Sequence, residues 1–259
     1  MKQSHKDIKE LLDEKYYQFN NVDFIQTDPI SIPHLFTKKE DIEIASLLVA
    51  TIAWGQRFSI IKNGHKLMEL MNQEPHDFIL NYSKKDEKRF NDFVHRTFNS
   101  GDCIFFLQAL KHIYQKHGGL ESAFSKSFSE KEPNIKLAII NFRTLFLQPA
   151  HLHRIEKHIS NPAAKSSAKR LCMFLRWMVR QDKFGVDFGI WKQIKPSQLC
   201  LPLDLHTGNV SRKLGLLKRT QNDWLAVEEI TSVLKSFDSK DPIKYDFSLF
   251  GLGAFEGFR

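Results

Sequence analysis

The chain of 259 residues is poor in cysteine, and its three cysteines lie far apart. Cys103, Cys172 and Cys200 form no CxxC pair and are too few for a four-ligand zinc site or an iron–sulfur cluster. We therefore expect reduced, buried thiols and predict neither a metal site nor another cofactor.

Long hydrophobic runs are also missing from this sequence. No run approaches the roughly 18 apolar residues of a membrane span. The N-terminal stretch MKQSHKDIKELLDEKYY alternates charged with apolar residues, unlike the continuous apolar segment of a signal peptide. We therefore expect a cytoplasmic protein without a membrane partner.

Stretches that alternate apolar and polar residues, as exposed strands do, are rare in this chain. Apolar residues instead recur at the i, i+3, i+4 spacing of a helix face, as at Ile44, Leu47 and Leu48. The segment from 22 to 32, before Pro33, reads as an irregular loop. The pattern predicts an all-α fold of about ten helices.

The charge of the chain is strongly positive, with 38 Lys and Arg against 30 Asp and Glu. The resulting net charge of +8 and pI near 9.3 favour a polyanionic partner such as nucleic acid. Charge alone identifies no partner, because a basic surface is also found on proteins that bind no polyanion.

A helix that begins near Ser167 carries a basic face. Lys169, Met173, Arg176 and Arg180 share one side of it, away from the apolar positions. The turn into its first residues offers backbone N–H groups to a DNA phosphate, which Lys165 and Lys169 would help to bind. An ordinary solvated helix face is the alternative interpretation.

A second segment, LPLDLHTGNV, places Asp204 at the start of another helix. The position is that of an N-cap, where the carboxylate accepts a hydrogen bond from the N–H of Thr207 or its neighbour. Capping alone is a sufficient reason for an aspartate at this position.

Together these segments resemble the helix-hairpin-helix DNA glycosylase superfamily. LPLDLHTGNV is similar to its VPVDTHV-like segment with the catalytic carboxylate, and KSSAKRLCMFLRW places Lys169 where bifunctional members have the lysine that attacks the sugar C1′. The stretch IEIASLLVATIAWGQRFSIIKNGHKLM looks like the early helices of these enzymes, with Gln56 at a position facing the base pocket. The resemblance covers roughly residues 41–255. The whole chain is also similar to an uncharacterised bacterial family near this superfamily.

Two departures from the superfamily pattern refine the resemblance. Lys165, Ser166 and Ser167 stand where the hairpin has a Gly-x-Gly turn, which lets backbone amides approach phosphate. Lys169 and Asp204 are 35 residues apart, an interval that is similar to the archaeal 8-oxoguanine glycosylase branch. The missing cysteines distinguish this chain from the iron–sulfur endonuclease III branch.

The resemblance implies a fold of two helical lobes with a cleft between them: residues 40–200 form a helical barrel with a hairpin-like motif, and residues 1–39 with 201–259 form the second lobe.

It implies a monomeric glycosylase with abasic-site lyase activity that acts on double-stranded DNA with a damaged base, such as 8-oxoguanine, through a lysine Schiff base. Lys169 and Asp204 would be the catalytic pair, on one cleft bordered by Arg176 or Arg212. The DNA-binding or pocket residues would be Lys165, Ser166, Ser167, Arg176, His206, Arg212, Gln56, Arg57, His95 and Arg96.

Other interpretations stay open at this point. His95 and Arg96, in FVHRTFNSGD, are explained as well by a helix C-terminus whose carbonyls they close. The whole protein could instead be a non-catalytic DNA-binding or lesion-sensing protein, or a helical domain that binds an acidic protein. The sequence also leaves open whether Lys169 is deprotonated at neutral pH.

Overall fold

The computed structural model describes residues 4–126 and 128–258, and this part of the chain is helical with no β-strand. The predicted all-α class is confirmed. Its α-helices, twelve rather than about ten, are α1 (His5–Phe19), α2 (Val22–Thr27), α3 (Lys39–Ile52), α4 (Arg57–Leu70), α5 (Pro75–Asn81), α6 (Ser100–Lys116), α7 (Leu120–Ser125), α8 (Lys136–Phe146), α9 (Lys169–Val179), α10 (Leu205–Lys213), α11 (Trp224–Phe237) and α12 (Tyr245–Ala254).

Short 3₁₀ helices join many of these elements, at Pro29–Ser31, Pro33–Leu35, Lys84–Phe90, His153–His158, Pro162–Ala164, Pro196–Gln198 and Pro242–Lys244. The prediction of an irregular loop over residues 22–32 was wrong. This segment holds α2 and the 3₁₀ turn Pro29–Ser31, because Asp28 accepts a hydrogen bond from Ile30 N at 3.1 Å and Pro29 occupies the first helical position.

The chain divides into two compact units. The first unit comprises the described residues 4–24, 130–136 and 161–258, and the second comprises 25–126, 128–129 and 137–160. These boundaries differ from the expected ones, because residues 161–200 cluster with both terminal segments. Arg180, the C-cap of α9, explains this grouping, since it contacts Tyr16 near the N-terminus and Asp241 near the C-terminus.

The second unit is built around α3, which is buried from Ile42 to Ile52. A helix that is apolar on nearly all sides belongs at the centre of a helical core. α3 contacts α4 and α5, and α5 contacts α6.

The first unit is centred on α12, which packs against both α1 and α10. Two glycines permit this close packing. A β-carbon at Gly251 would overlap the ring of Phe19 in α1, and one at Gly253 would lie 3.0 Å from Cβ of His206 in α10. Thus α12 positions the beginning of α10, where Asp204 lies.

Candidate active site

The turn before α9 adopts an unusual backbone conformation. Asn161 caps the 3₁₀ turn Pro162–Ala164, and Lys165 then takes a left-handed conformation with φ of 67°. Ala168, the residue before α9, is also left-handed, with φ of 47°. Left-handed conformations cost an L-residue about 1 kcal/mol or more, and glycine adopts them freely. The chain therefore makes a glycine-like turn here without glycine.

Neighbouring residues hold this strained turn in place. Ser166 Oγ accepts a hydrogen bond from Ala168 N at 3.3 Å, and Ser166 forms an isolated backbone bridge with Asp223. Lys165 O accepts a hydrogen bond from the N–H of Trp224, the buried first residue of α11, at 3.0 Å. Strain that the surroundings hold in this way is concentrated at functional sites.

Lys169 is the first residue of α9, and the first turn of that helix has no side-chain cap, because its N-cap is Ala168. The side chain of Lys165 is exposed beside it, and Ser166 and Ser167 are half-buried. Among the predicted residues Lys165, Ser166 and Ser167, Ser166 stabilises the turn through its hydrogen bond with Ala168 N. Ser167 O accepts a weak hydrogen bond from Cys172 Sγ at 3.9 Å.

Asp204 is the N-cap of α10, as predicted. Its Oδ1 accepts the N–H of Thr207 at 2.9 Å, and Thr207 Oγ1 accepts the N–H of Asp204 at 2.8 Å. Asn222 Nδ2 donates to Asp204 O at 3.0 Å. The first of these bonds holds the carboxylate, and the other two hold the backbone of Asp204 at the helix start.

Lys169 and Asp204 lie next to each other within the first unit. Lys169 Nζ is 3.4 Å from Asp204 Oδ2, the oxygen that the cap leaves open. The Lys169 side chain is 33% exposed and that of Asp204 is 14% exposed. One carboxylate thus caps α10 and pairs with the first residue of α9 at the same time, in a place that a substrate can still reach. An amine and a fixed carboxylate so arranged can provide a nucleophile and a stabilising negative charge.

Arg176 does not border an accessible site, and the prediction that it contacts DNA was wrong. Its side chain is buried, where Nε donates to Asp187 Oδ1 at 3.2 Å and Nη1 donates to Asp246 Oδ2. The same holds for Arg180, which the predicted basic face included. A buried guanidinium needs carboxylate partners, and acidic residues distant in sequence supply them.

Arg180 forms ion pairs with three carboxylates. Its Nη1 is 3.0 Å from Asp187 Oδ2, its Nη2 is 2.7 Å from Asp182 Oδ2, and its Nε is 3.0 Å from Asp241 Oδ2. Tyr16 OH accepts from Nη2 at 2.9 Å and donates to Asp182 at 2.8 Å. Burial opposes ionisation of Asp182, yet the charge of Arg180 and these hydrogen bonds hold its pKa below the usual value.

Asp246, the second carboxylate partner of Arg176, has a pKa that depends on its burial and on the charge of Asp204. Burial raises the pKa of Asp246 to about 6; Arg176 acts against the rise, and the negative charge of Asp204 adds to it. No functional role was expected of Asp246 from the sequence. The signal available there was an aspartate inside the apolar run YDFSLF, where an unpaired charge would be costly.

His206 and Arg212, the other two predicted residues of the first unit, contact neighbouring side chains and backbone. His206 is half-buried and meets Phe250 edge-on, with ring centroids 6.1 Å apart. Arg212 Nε donates to Arg219 O at 2.8 Å, and its Nη2 donates to Asn222 Oδ1 at 2.6 Å. Through Asn222, Arg212 supports the backbone of Asp204.

The remaining predicted residues belong to the second unit. Gln56 is exposed and precedes α4 without a side-chain cap bond, and Arg57 is the half-exposed first residue of that helix. Arg96 is exposed, and its guanidinium lies against Gly55, where a β-carbon would come within 2.9 Å of Nη1.

His95 is buried, so the prediction of a direct base or phosphate contact was wrong. Its Nε2 donates to Trp54 O at 3.1 Å and its Nδ1 accepts from Asn63 Nδ2 at 2.8 Å, so both ring nitrogens are used internally. The alternative of a helix C-terminus was wrong too. His95 and Phe98 exchange backbone hydrogen bonds in a tight turn, at 2.8 and 2.9 Å.

The described residues offer neither a metal site of three or more common ligands nor a membrane-spanning helix. The described residues hold no cluster of three or more His, Cys, Asp or Glu side chains suited to a metal ion. Among the helices of the described residues, none combines the length and apolar character that crossing a bilayer requires.

Comparison with known proteins places the chain in a family without assigning it an activity. A family described as "Protein of unknown function (DUF2400)" matches residues 28–255, and the chain belongs to this family. No curated protein and no solved structure matches the chain. The match includes Lys169, Asp204 and Asp246, so the candidate pair and the buried carboxylate behind it lie within the family region.

Proposed function

We propose that this protein is a DNA base-excision glycosylase with abasic-site lyase activity, in which Lys169 is the nucleophile and Asp204 stabilises positive charge. The observation that carries the proposal is the 3.4 Å approach of Lys169 Nζ to Asp204 Oδ2, at the adjoining starts of α9 and α10. The sequence resemblance to helix-hairpin-helix glycosylases pairs the same two residues. An oxidised purine, first of all 8-oxoguanine, is the proposed target.

The proposed reaction starts with the neutral amine of Lys169 and an everted nucleotide. The amine attacks C1′ as the bond from C1′ to the base breaks, and the base leaves with that electron pair and takes up the proton that the amine sheds. Opening of the sugar ring at O4′, which takes a proton from water, gives a Schiff base between Lys169 and C1′. Removal of a C2′ proton then expels the 3′ phosphate and nicks the strand.

Asp204 contributes to this reaction through its charge. Positive charge develops on the sugar as the base departs, and a carboxylate fixed beforehand stabilises it without reorganising. The cap at Oδ1 fixes the carboxylate, the amide of Asn222 holds the backbone carbonyl of Asp204, and Oδ2 lies 3.4 Å from Lys169 Nζ. Asp204 therefore needs no movement to act on a sugar held beside Lys169.

Double-stranded DNA as the partner is supported by the charge of the chain and by the turn before α9. The net charge of +8 favours a phosphate backbone. Exposed Lys165 lies beside the uncapped first turn of α9, and such helix starts bind phosphate well. Lys165, which stands at the first glycine position of the superfamily turn, adopts the left-handed conformation that glycine takes freely, and this supports a DNA-contacting turn despite the altered sequence.

Borohydride trapping tests the proposal, because reduction of a Schiff base leaves a covalent protein–DNA adduct that survives denaturing electrophoresis. We expect adducts and nicks from the wild-type protein on duplexes with 8-oxoguanine or an abasic site, and none on undamaged duplex. Lys169→Gln should abolish both, and Lys6→Gln, on the exposed face of α1, should retain both.

Three results would overturn the assignment in different ways. Adducts that persist in Lys169→Gln would place the nucleophile elsewhere, and Lys165→Gln would then be examined. Salt-sensitive DNA binding without adducts on any duplex would favour a lesion-sensing protein. DNA affinity that is absent, or unaffected by salt, would favour the helical domain that binds an acidic protein.

A further inference from the structure

Two histidines and a glutamine of the second unit converge at the end of α6. His112 Nε2 lies 2.8 Å from Gln148 Oε1, and His117 Nε2 lies 3.3 Å from the same oxygen. The two imidazole nitrogens are 3.2 Å apart. Each of the three atoms thus contacts the other two. Both imidazoles are half-buried and Gln148 is exposed, so solvent reaches the cluster.

The way in which α6 ends brings the two histidines together. Residues five apart lie on different sides of a continuous α-helix. However, α6 stops at Lys116, and His117 is its C-cap, with φ of −126° and ψ of 8°. Gly118 and Gly119 follow with φ of 73° and 92°, left-handed conformations that glycine takes freely. The chain therefore turns away from the helix direction at His117, and the ring of His117 meets that of His112 edge-on.

The position of the cluster at helix C-termini favours a cation. His117 ends α6, and Gln148 follows α8, which ends at Phe146. The C-terminal end of a helix carries partial negative charge. Lys111, one residue before His112, is held by its own partner, because its Nζ donates to Tyr82 O at 2.7 Å.

Hydrogen bonding alone leaves one of the three contacts unsatisfied. Each Nε2 carries at most one proton, and an amide oxygen only accepts. With both nitrogens protonated, the contact between His112 and His117 joins two donors. With one protonated, the other nitrogen and Gln148 Oε1 are two acceptors in contact. A cation among the three atoms would be bound by a lone pair from each of them.

The distances are those of ligands around one metal ion. Zinc binds imidazole nitrogen at about 2.0–2.1 Å, so two imidazoles on one tetrahedral zinc have Nε2 atoms about 3.3 Å apart and ring centroids about 5.2 Å apart. The observed separations are 3.2 Å and 5.0 Å. A linear N–H···N hydrogen bond between the rings would instead place the centroids about 5.5 Å apart.

We propose that His112, His117 and Gln148 form a binding site for a divalent transition-metal ion of the zinc class, with the imidazoles as principal ligands and water in the remaining positions. Imidazole suits such ions, whereas Mg²⁺ and Ca²⁺ prefer oxygen ligands. The ion has an entry path, because His112 lines a cavity of about 500 Å³. A bound ion joins the end of α6 to the segment after α8 and so stabilises the second unit.

The site differs from what the sequence predicted, since cysteine spacing gave no reason to expect a metal. It also involves neither Lys169 nor Asp204, so the proposal does not depend on the proposed function. Metal-bound histidines usually donate their second ring N–H to a partner, which strengthens binding. Nδ1 of His117 is buried without such a partner, so we expect micromolar rather than tighter affinity.

Isothermal titration of the chelator-treated protein with zinc chloride at neutral pH tests the site. We expect one site of micromolar affinity in the wild-type protein. His112→Gln and His117→Gln, checked for folding by circular dichroism, should each weaken it by about tenfold or more, because a single imidazole remains. His65→Gln is the matched control, since it removes an exposed histidine of α4 in the same unit, and it should bind as the wild type does. No binding by the wild-type protein at micromolar zinc, or equal affinity in the His112 and His65 variants, would overturn the proposal.

The wild-type protein provides a second measurement, which applies if a variant does not fold. Diethyl pyrocarbonate modifies accessible imidazole nitrogens, and peptide mass spectrometry gives the rate at each histidine. Zinc should slow modification of His112 and His117 and leave His65 unchanged, whereas Mg²⁺ at the same concentration should protect none of them. Equal rates at His112 and His117 with and without zinc would overturn the proposal.

Discussion

Asp187 and Arg180 form an ion pair to which solvent has no access: Asp187 Oδ2 lies 3.0 Å from Arg180 Nη1, and both side chains have 0% exposure. The other carboxylate oxygen, Oδ1, accepts from Arg176 Nε at 3.2 Å. A single aspartate thus bridges Arg176 in α9 and Arg180 at the C-cap of that helix, which begins with Lys169. This bridge ties the candidate site to the core of the first unit.

We expect Asp187→Ala to lower the free energy of unfolding by about 3–5 kcal/mol, because removing one partner leaves buried charge uncompensated. Urea denaturation monitored by circular dichroism measures the change. Glu10→Ala is the control, since its pair with Lys6 spans 3.9 Å between side chains that are 83% and 67% exposed. The control should change stability by less than about 1 kcal/mol. A loss in Asp187→Ala no larger than in the control would contradict this view of the network.

Two substitutions should distinguish the role of Asp204 as a helix cap from its role as a stabilising charge. Asn caps helices about as well as Asp, so Asp204→Asn should leave stability nearly unchanged and slow base release by about 10²-fold or more through loss of the charge. Asp204→Ala should slow base release as well and also lose about 1 kcal/mol of stability, because the cap is gone. Urea denaturation and single-turnover excision measure the two effects.

Ser4→Ala provides the control for capping. Ser4 accepts the N–H of Asp7 at 3.2 Å as the N-cap of α1, and its removal should cost stability without slowing base release. If Asp204→Asn releases base as fast as the wild-type protein, Asp204 is a helix cap only.

Features that local rules govern could be predicted from the sequence. Apolar spacing predicted helices because the 3.6-residue period places such residues on one face. Asp204 was expected at an N-cap because short-range hydrogen bonding decides that position, and the structure has it there. The approach of Lys169 to Asp204, across 35 residues, was expected from the resemblance alone.

Features that depend on distant partners could not be predicted in this way. Arg176 and Arg180 have helical spacing typical of a basic surface, but their partners Asp246 and Asp241 lie 70 and 61 residues further along the chain. His95 likewise bonds to groups 32 and 41 residues away. Helical periodicity places a residue on a face, and only tertiary packing decides whether that face meets solvent or a carboxylate.

The turn before α9 shows a second kind of feature that the sequence could not predict, an unusual backbone conformation. Left-handed conformations at Lys165 and Ala168 contradict the local preference of both residue types, which favours right-handed or extended backbone. Ser166 supports the turn locally, and the distant hydrogen bond from the N–H of Trp224 to Lys165 O, which the segment itself does not reveal, also holds it. Left-handed backbone thus forms at this position without glycine.

Lys165 provides the test of whether this turn binds DNA. Each phosphate contact contributes about 0.9 to the slope of log affinity against log salt concentration for duplex DNA. We expect Lys165→Gln to reduce this slope by about one unit relative to the wild-type protein, measured by fluorescence anisotropy with an undamaged duplex. Lys6→Gln, on the exposed surface of α1, should leave the slope unchanged.

Lys165→Gly separates the charge of this residue from its backbone conformation. Glycine takes the left-handed φ of 67° without strain, so this variant should be more stable than Lys165→Gln by roughly 1 kcal/mol in urea denaturation. Both variants lack the lysine charge, and both should show the same reduced salt slope. A slope that stays at the wild-type value in both would remove Lys165 from the DNA interface, and phosphate binding at the start of α9 would then depend on the backbone and Lys169.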